Sequence, residues 1–163
     1  MGNPAPNQER LAAVVEGVAR EFMEAWAHPN LDRFMALLHE DVLLLQPVTK
    51  PVRGKAAARR EFGRMMQWLP DLHGTVDHWS ARGPDLLIAW RLDFTLGHAP
   101  FTLHIVDRIV VRDGLIGERE AYFDSLRFML ATIARPGAWL GYLRYRGYLP
   151  GGDARLGSPL PKE

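Results

Sequence analysis

The sequence predicts an α+β fold in which a curved antiparallel sheet closes as a cone over helices that precede it. Three observations carry that expectation. In the first half of the chain apolar residues recur at three- and four-residue steps, the spacing of amphipathic helices. In the second half four strand-like apolar runs follow one another. Between those runs stand "GPD", "GHAP" and "DG", which are signals for successive hairpins. A length of 163 residues is that of one domain able to bury a core without staples.

The elements follow in order. Over residues 8–27, Leu11, Val14, Val15, Val18, Phe22 and Trp26 form one stripe, with Asn7 as the N-cap. "HPN" interrupts it, and Asn30 caps a shorter helix carrying Leu31, Phe34, Met35, Leu37 and Leu38. "DVLLLQPV" is a strand stopped by Pro47, and the loop "TKPVRG" leads to a third helix over 55–68 that Pro70 ends. The four strands "LHGTVDHWSARG", "DLLIAWRLDFTL", "PFTLHIVDRIVVRD" and "LIGEREAYFD" come next, then a helix over 125–134 stopped by "RPG". The expected organisation is a domain over 8–135, an aromatic and basic helical extension over 136–149, and flexible ends at 1–7 and 150–163, both rich in Pro and Gly.

Composition excludes several functions. The 20 Lys+Arg against 19 Asp+Glu leave a formal charge of +1, which gives no global field to select nucleic acid or an anionic membrane. The absence of cysteine removes disulfides, thiolate metal sites and a cysteine nucleophile, and fits a reducing, cytoplasmic address. No run of about 18 apolar residues and no leader-like start occurs, so a soluble protein is expected. The six histidines lack metal-ligand spacing, and no nucleophile elbow, P-loop or dinucleotide fingerprint is present. "RPGAWLGYLRYRGYLP" has the aromatic and basic mix of an RNA- or membrane-surface segment, but three arginines are few; it reads better as a helix packed across the domain, onto a partner subunit or at a pocket entrance.

Charges inside the strand pair "AWRLDFTLGHAPFTLHIVDRI" are the chemical signal. Side chains alternate along a strand, so Ala89, Arg91, Asp93 and Thr95 share one face and Ile88, Trp90, Leu92 and Phe94 the other. On the next strand Leu103, Ile105, Asp107 and Ile109 share a face, which sets Asp107 among apolar neighbours. Asp124 ends "EAYFD" after two aromatics. One reading is structural: Arg91 and Asp93 as a solvated pair, Asp124 as an N-cap for "SLRFML". The other brings three carboxylates and an arginine into one concavity, where one acid is ionised as base and another kept protonated as acid.

The element order, with "LDRFMALLHEDVLLLQPVTKPVRGKAA" before the sheet and "RDGLIGEREAYFD" at its end, resembles the NTF2-like superfamily over about residues 8–135. SnoaL-like polyketide cyclases, ketosteroid isomerases and limonene epoxide hydrolases belong to it. The last carry Arg-x-Asp on one strand and an Asp after "YF", and Arg91, Asp93 and Asp124 match those positions. The resemblance implies Asp93 as the base, Asp124 as the acid that protonates the epoxide oxygen, and Arg91 as the bridge between them. The Tyr and Asn that hold water in that family are Leu44 and Gln46 here; Gln46 still offers a donor and an acceptor. Ketosteroid isomerases resemble the chain through "QPV" and "IVDRI", which implies Asp107 as oxyanion donor; their base position reads Gln46 and their helix Tyr reads Phe22.

The reading that follows is an acid–base enzyme without cofactor or metal, acting on a hydrophobic small molecule in a buried pocket. Epoxide opening, by water or by a substrate hydroxyl, leads. Asp93, Arg91, Asp124, Asp107 and Gln46 would supply chemistry, and Phe22, Trp26, Leu37, Leu44, Phe62, Met66, Leu103, Ile105 and Tyr122 the walls. A SnoaL-like cyclase or isomerase, with Asp107 stabilising an enolate, is the alternative; a non-catalytic binding or dimerisation module is the third. No nucleic acid or membrane partner is expected. Trp90, Leu92 and Phe94 are expected on the back of the sheet, pairing two copies into a homodimer.

Overall fold

The computed structural model describes residues 6–149; the ends expected to be flexible lie, apart from residues 6 and 7, outside the described residues. Five helices and one six-stranded sheet are present among them. Helix α1 (Pro6–Ala27) begins at a proline, which suits a first helical position, so Asn7 lies within its first turn rather than capping it. Helix α2 (Leu31–Leu37) starts as expected: the Asn30 side chain accepts from the backbone N–H of Asp32 at 2.9 Å and of Arg33 at 3.1 Å. Strand β1 (Leu38–Leu45), the two-residue β2 (Val52–Arg53) and helix α3 (Lys55–Trp68) follow. The meander is β3 (His73–Arg82), β4 (Asp85–Leu96), β5 (Ala99–Arg112) and β6 (Leu115–Phe123). Helices α4 (Ser125–Ile133) and α5 (Pro136–Tyr145) end the fold.

The strand order is β2-β1-β6-β5-β4-β3, with β1 parallel to β6 and every other pair antiparallel. Register slips at Val76/His78 and at Val110/Val111 bend the sheet, because an extra residue in one strand increases local twist. The result is the expected α+β cone, with α1 and α3 seated in its concave side. Phe22 and Trp26 of α1 meet Trp90 of β4 at ring distances of 5.6 and 4.5 Å. Fully burying such side chains stabilises by roughly 1.5–3 kcal/mol each, so this aromatic contact, beside the packing of α1 on β3, helps hold helix to sheet.

That contact reverses one expectation. Trp90, Leu92 and Phe94 are buried on the concave face, not exposed on the back of the sheet. The physical reason is the β4–β5 hairpin. Gly97 (φ 56°) and His98 (φ 72°) form a two-residue loop of the kind that needs two left-handed residues. Leu96 therefore pairs with Ala99, and even-numbered residues of β4 oppose odd-numbered residues of β5. Ile88 faces Asp107, Trp90 faces Ile105, and Leu92 faces Leu103. Arg91 and Asp93 oppose His104 and Thr102 on the convex side. Among the described residues no helix is long and apolar enough to cross a membrane.

Candidate functional site

A cavity of about 80 Å³ lies inside the cone. Its floor is the concave face: Trp90, Leu92 and Phe94 from β4, Leu103 and Ile105 from β5, Arg119, Ala121 and Phe123 from β6. Trp26 of α1 and Phe62 and Met65 of α3 close one side. The mouth is formed by the loop from Gln46 to Thr49, Phe128 of α4 and Tyr145 at the end of α5. The lining is apolar except for Gln46, Thr49, Tyr145 and one charge, Arg119.

Arg119 is 6% exposed and its partner Asp107 is fully buried. The two meet because Ile109 opposes Arg119 and Asp107 opposes Ala121, which makes them diagonal neighbours on one face, within reach of a long side chain. Arg119 donates to Asp107 Oδ2 at 2.9 Å, and the indole N–H of Trp90 donates to the same oxygen at 2.9 Å. The guanidinium carbon lies 5.6–5.9 Å from the ring centres of Phe22, Trp26 and Trp90, so aromatic faces replace part of its lost water. Asp107 Oδ1 and Arg119 Nε have no partner among the described residues. Burial raises the Asp107 carboxyl above its usual value, and the Arg119 charge opposes that rise without cancelling it.

A second polar cluster sits at the mouth. The Tyr145 hydroxyl donates to Glu61 Oε1 at 2.6 Å, and Gln46 Nε2 makes a long 3.5 Å contact with the same oxygen. Burial first, and the Glu61 charge second, push the Tyr145 hydroxyl well above its ordinary value, so it stays a donor. Arg146 donates to the carbonyl of Val48. That contact clamps a loop whose Val48 adopts φ 62°, a strained angle for a β-branched residue.

The residues singled out from sequence divide. Trp26, Phe62, Leu103, Ile105 and Gln46 line the cavity. Phe22 and Leu37 line a hollow of about 10 Å³ behind Arg119. Leu44 is buried in β1 but is not on the wall, and Met65 takes the wall position expected for Met66. Tyr122 is exposed on the convex face, because strand alternation turns its neighbours Ala121 and Phe123 inward. Arg91, Asp93 and Asp124 do not meet at the cavity. Arg91 pairs with Asp77 at 3.1 Å on the convex side, where Asp93 accepts from Thr102 at 2.5 Å. Asp124 caps α4, accepting from the backbone N–H of Arg127 at 2.8 Å. Sequence reasoning missed Arg119 and Glu61; Tyr145 lies in the aromatic and basic segment that it offered as narrowing a pocket entrance. Among the described residues no group of three or more His, Asp or Glu is placed to hold a metal ion.

The model of the SnoaL-like domain matches residues 19–119. No curated protein matches the chain in sequence. Among solved structures, a SnoaL-like polyketide cyclase candidate from Jannaschia sp. CCS1 superposes with a TM-score of 0.67 at 19% identity, over 83% of this chain and 100% of that one. An LEH-like epoxide hydrolase from M. tuberculosis gives 0.64 at 17% identity, over 78% of this chain and 96% of that one. A protein with a ketosteroid isomerase-like fold from Catenulispora acidiphila DSM 44928, in complex with trimethylamine, gives 0.65 at 18%, over 75% and 95%. At these identities the likeness is one of fold.

Proposed function

This chain belongs to the SnoaL-like domain family, and on that premise we propose that it is an acid–base enzyme acting on an apolar small molecule through an enolate-type isomerisation or intramolecular cyclisation. The observation that carries the reading is Arg119, the one charge on an otherwise apolar wall, buried and with Nε–H unpartnered. A substrate carbonyl seated against it gains negative charge as its α-proton leaves. A fixed cation in a dry cavity stabilises that charge far more than water would. Asp107 and Trp90 hold the guanidinium in place. Glu61 stands off the wall, and the Tyr145 hydroxyl, which lines it, relays the proton: it hands its own proton to Glu61 as it takes the α-proton, and the reverse step delivers a proton to another carbon. Epoxide opening by Asp93 and Asp124 is not favoured, since neither reaches the cavity. The partner we propose is a second copy, joined through the convex face of the sheet.

One observation favours a second reading, binding without turnover: no carboxylate or imidazole stands on the wall itself. A panel of enolisable ketones and epoxides separates the two, with binding followed by the fluorescence of the lining Trp26, Trp68 and Trp90. Turnover of ketones, lost in Arg119→Met, is expected. Removing one partner of a buried pair costs about 3–5 kcal/mol, so Asp107→Leu/Arg119→Met is measured beside it as a folded control that still binds. Asp93→Asn retains activity. Loss of turnover in Asp93→Asn, or turnover of epoxides alone, sinks the proposal; quenching without any turnover selects the second reading.

A further inference from the structure

Beside the mouth of the cone lies a second hollow, which shares Tyr145 and Glu61 with the proposed reaction but whose basic lining that reaction does not use. It is an open groove of about 470 Å³ between the β1–β2 loop, α3 and the end of α5. Lys50, Arg53, Arg60, Arg64 and Arg146 line it against, among the described residues, a single acid, Glu61, in a chain whose formal charge is +1. That acid is already engaged by the Tyr145 hydroxyl. Helix geometry sharpens the asymmetry. Arg60 and Arg64 are four apart and share one face of α3, where like charges repel. Elsewhere on α3, Lys55 is paired with Glu40 at 3.3 Å and Arg59 with Asp32 at 2.6 Å. Lys50, Arg53 and Arg60 make no ion pair among the described residues. On α3, then, Lys55 and Arg59 are neutralised by acids while Arg60, facing the groove, is not.

The groove adjoins the reaction chamber, since Thr49 and Tyr145 line both. We propose that it binds the anionic group of the substrate, a carboxylate or a phosphate, while the apolar body of the same molecule occupies the cone. Guanidinium forks match both anions with paired hydrogen bonds, and a groove lined by one sign of charge raises the local concentration of such ligands. The substrate class is thus an apolar acid or phosphate ester rather than a neutral hydrocarbon. This rests on the cone as the substrate site; the groove's affinity for anions does not.

The test uses one molecular shape with three ends. 3-Phenylpropanol, 3-phenylpropanoate and 3-phenylpropyl phosphate are titrated into the full chain, with tryptophan fluorescence as the readout, and inorganic phosphate is titrated alone by calorimetry. The acid, the phosphate ester or both are expected to bind about tenfold tighter than the alcohol, as one charge-assisted contact implies. Which of the two gains more identifies the anion. The advantage shrinks as salt rises and disappears in Arg53→Gln/Arg60→Gln, two exposed sites, while the alcohol's affinity is unchanged. Equal affinities for all three, or an advantage that survives the double variant, overturns the proposal. If the alcohol fails to bind, the cone reading falls by itself; phosphate binding lost in the double variant then still supports the groove, and no phosphate binding overturns it.

Discussion

At the scale of single residues the site turns on one buried pair. Asp107 and Arg119 each keep a polar atom without a partner, and each such atom costs about 1–3 kcal/mol relative to a satisfied one. A buried ion pair is therefore weak ground for stability, and its retention against an apolar alternative is easier to explain by what Arg119 does at the wall. The protonation of Asp107 gives the pair a measurable signature. Because burial raises its pKa above 3.8, the folded chain holds a proton that the unfolded chain releases as pH rises past that value. The contribution is fully present below the unfolded value and is lost as pH climbs through the folded one. Asp107→Asn removes this titration and keeps an oxygen for the Trp90 N–H. Urea unfolding at a series of pH values should show wild-type stability falling relative to Asp107→Asn from about pH 4 upward; a difference that stays flat to neutrality contradicts the assignment.

At the scale of elements, α5 decides what can enter. It lies across the mouth with Tyr145 stacked on Trp68 at 5.2 Å and Tyr142 beside it at 5.4 Å. Gly141 makes that approach possible: a Cβ there would stand 2.2 Å from Cδ1 of Trp68. The cavity beneath, about 80 Å³, is small beside the roughly 300–1,000 Å³ of most ligand sites, so a larger substrate requires α5 to lift. Gly141→Ala should loosen the helix, lowering stability by about 1–3 kcal/mol and speeding both association and release of a bulky ligand in stopped-flow fluorescence. Unchanged rates would mean that entry is elsewhere. Much of this architecture is written in the sequence: Asn30 announces α2, Pro70 follows the end of α3, and the "RPG" break separates α4 from α5. Alternation in β4 divides a charged face from an apolar one but does not say which is concave. The two-residue hairpin loop narrows the choice, since it puts Leu103, Ile105, Asp107 and Ile109 on the face of Trp90, which makes that face apolar across both strands and hence the one to bury. Arg119 is a different case. Its inward position depends on the slip between Val110 and Val111, where Gly117 is the extra residue. Without that slip Arg119 would oppose Arg108 on the convex side, and alternation alone does not reveal a bulge.

At the scale of the whole molecule the question is which surface the proposed second copy would meet. With Trp90, Leu92 and Phe94 inside the cone, the convex sheet still carries an apolar row, because Ala89, Val106 and Tyr122 align across β4, β5 and β6. Val106 is 44% and Tyr122 52% exposed, with Leu87 at 48% nearby. Charges of both signs surround the row: Arg91 with Asp77, and Arg108 with Asp85 and Glu118. An apolar centre with a mixed polar rim is the anatomy of a self-complementary interface, since a twofold can set each cation of one copy against an acid of the other. The rival surface is the ridge of Leu126, Leu130 and Ile133 on α4 with Trp139 and Leu140 on α5. It exposes more apolar side chains than the sheet row, but residues 125–149 hold four arginines and no acid, so two copies brought together there would repel. Sedimentation should therefore give a mass that doubles with concentration. Val106→Glu should weaken that association at least about tenfold, by burying an unpaired charge, while leaving the midpoint of thermal unfolding of the monomer nearly unchanged because position 106 is open to solvent. Leu130→Glu should leave the association intact. A mass independent of concentration, or dissociation by Leu130→Glu and not by Val106→Glu, would move the interface off the sheet.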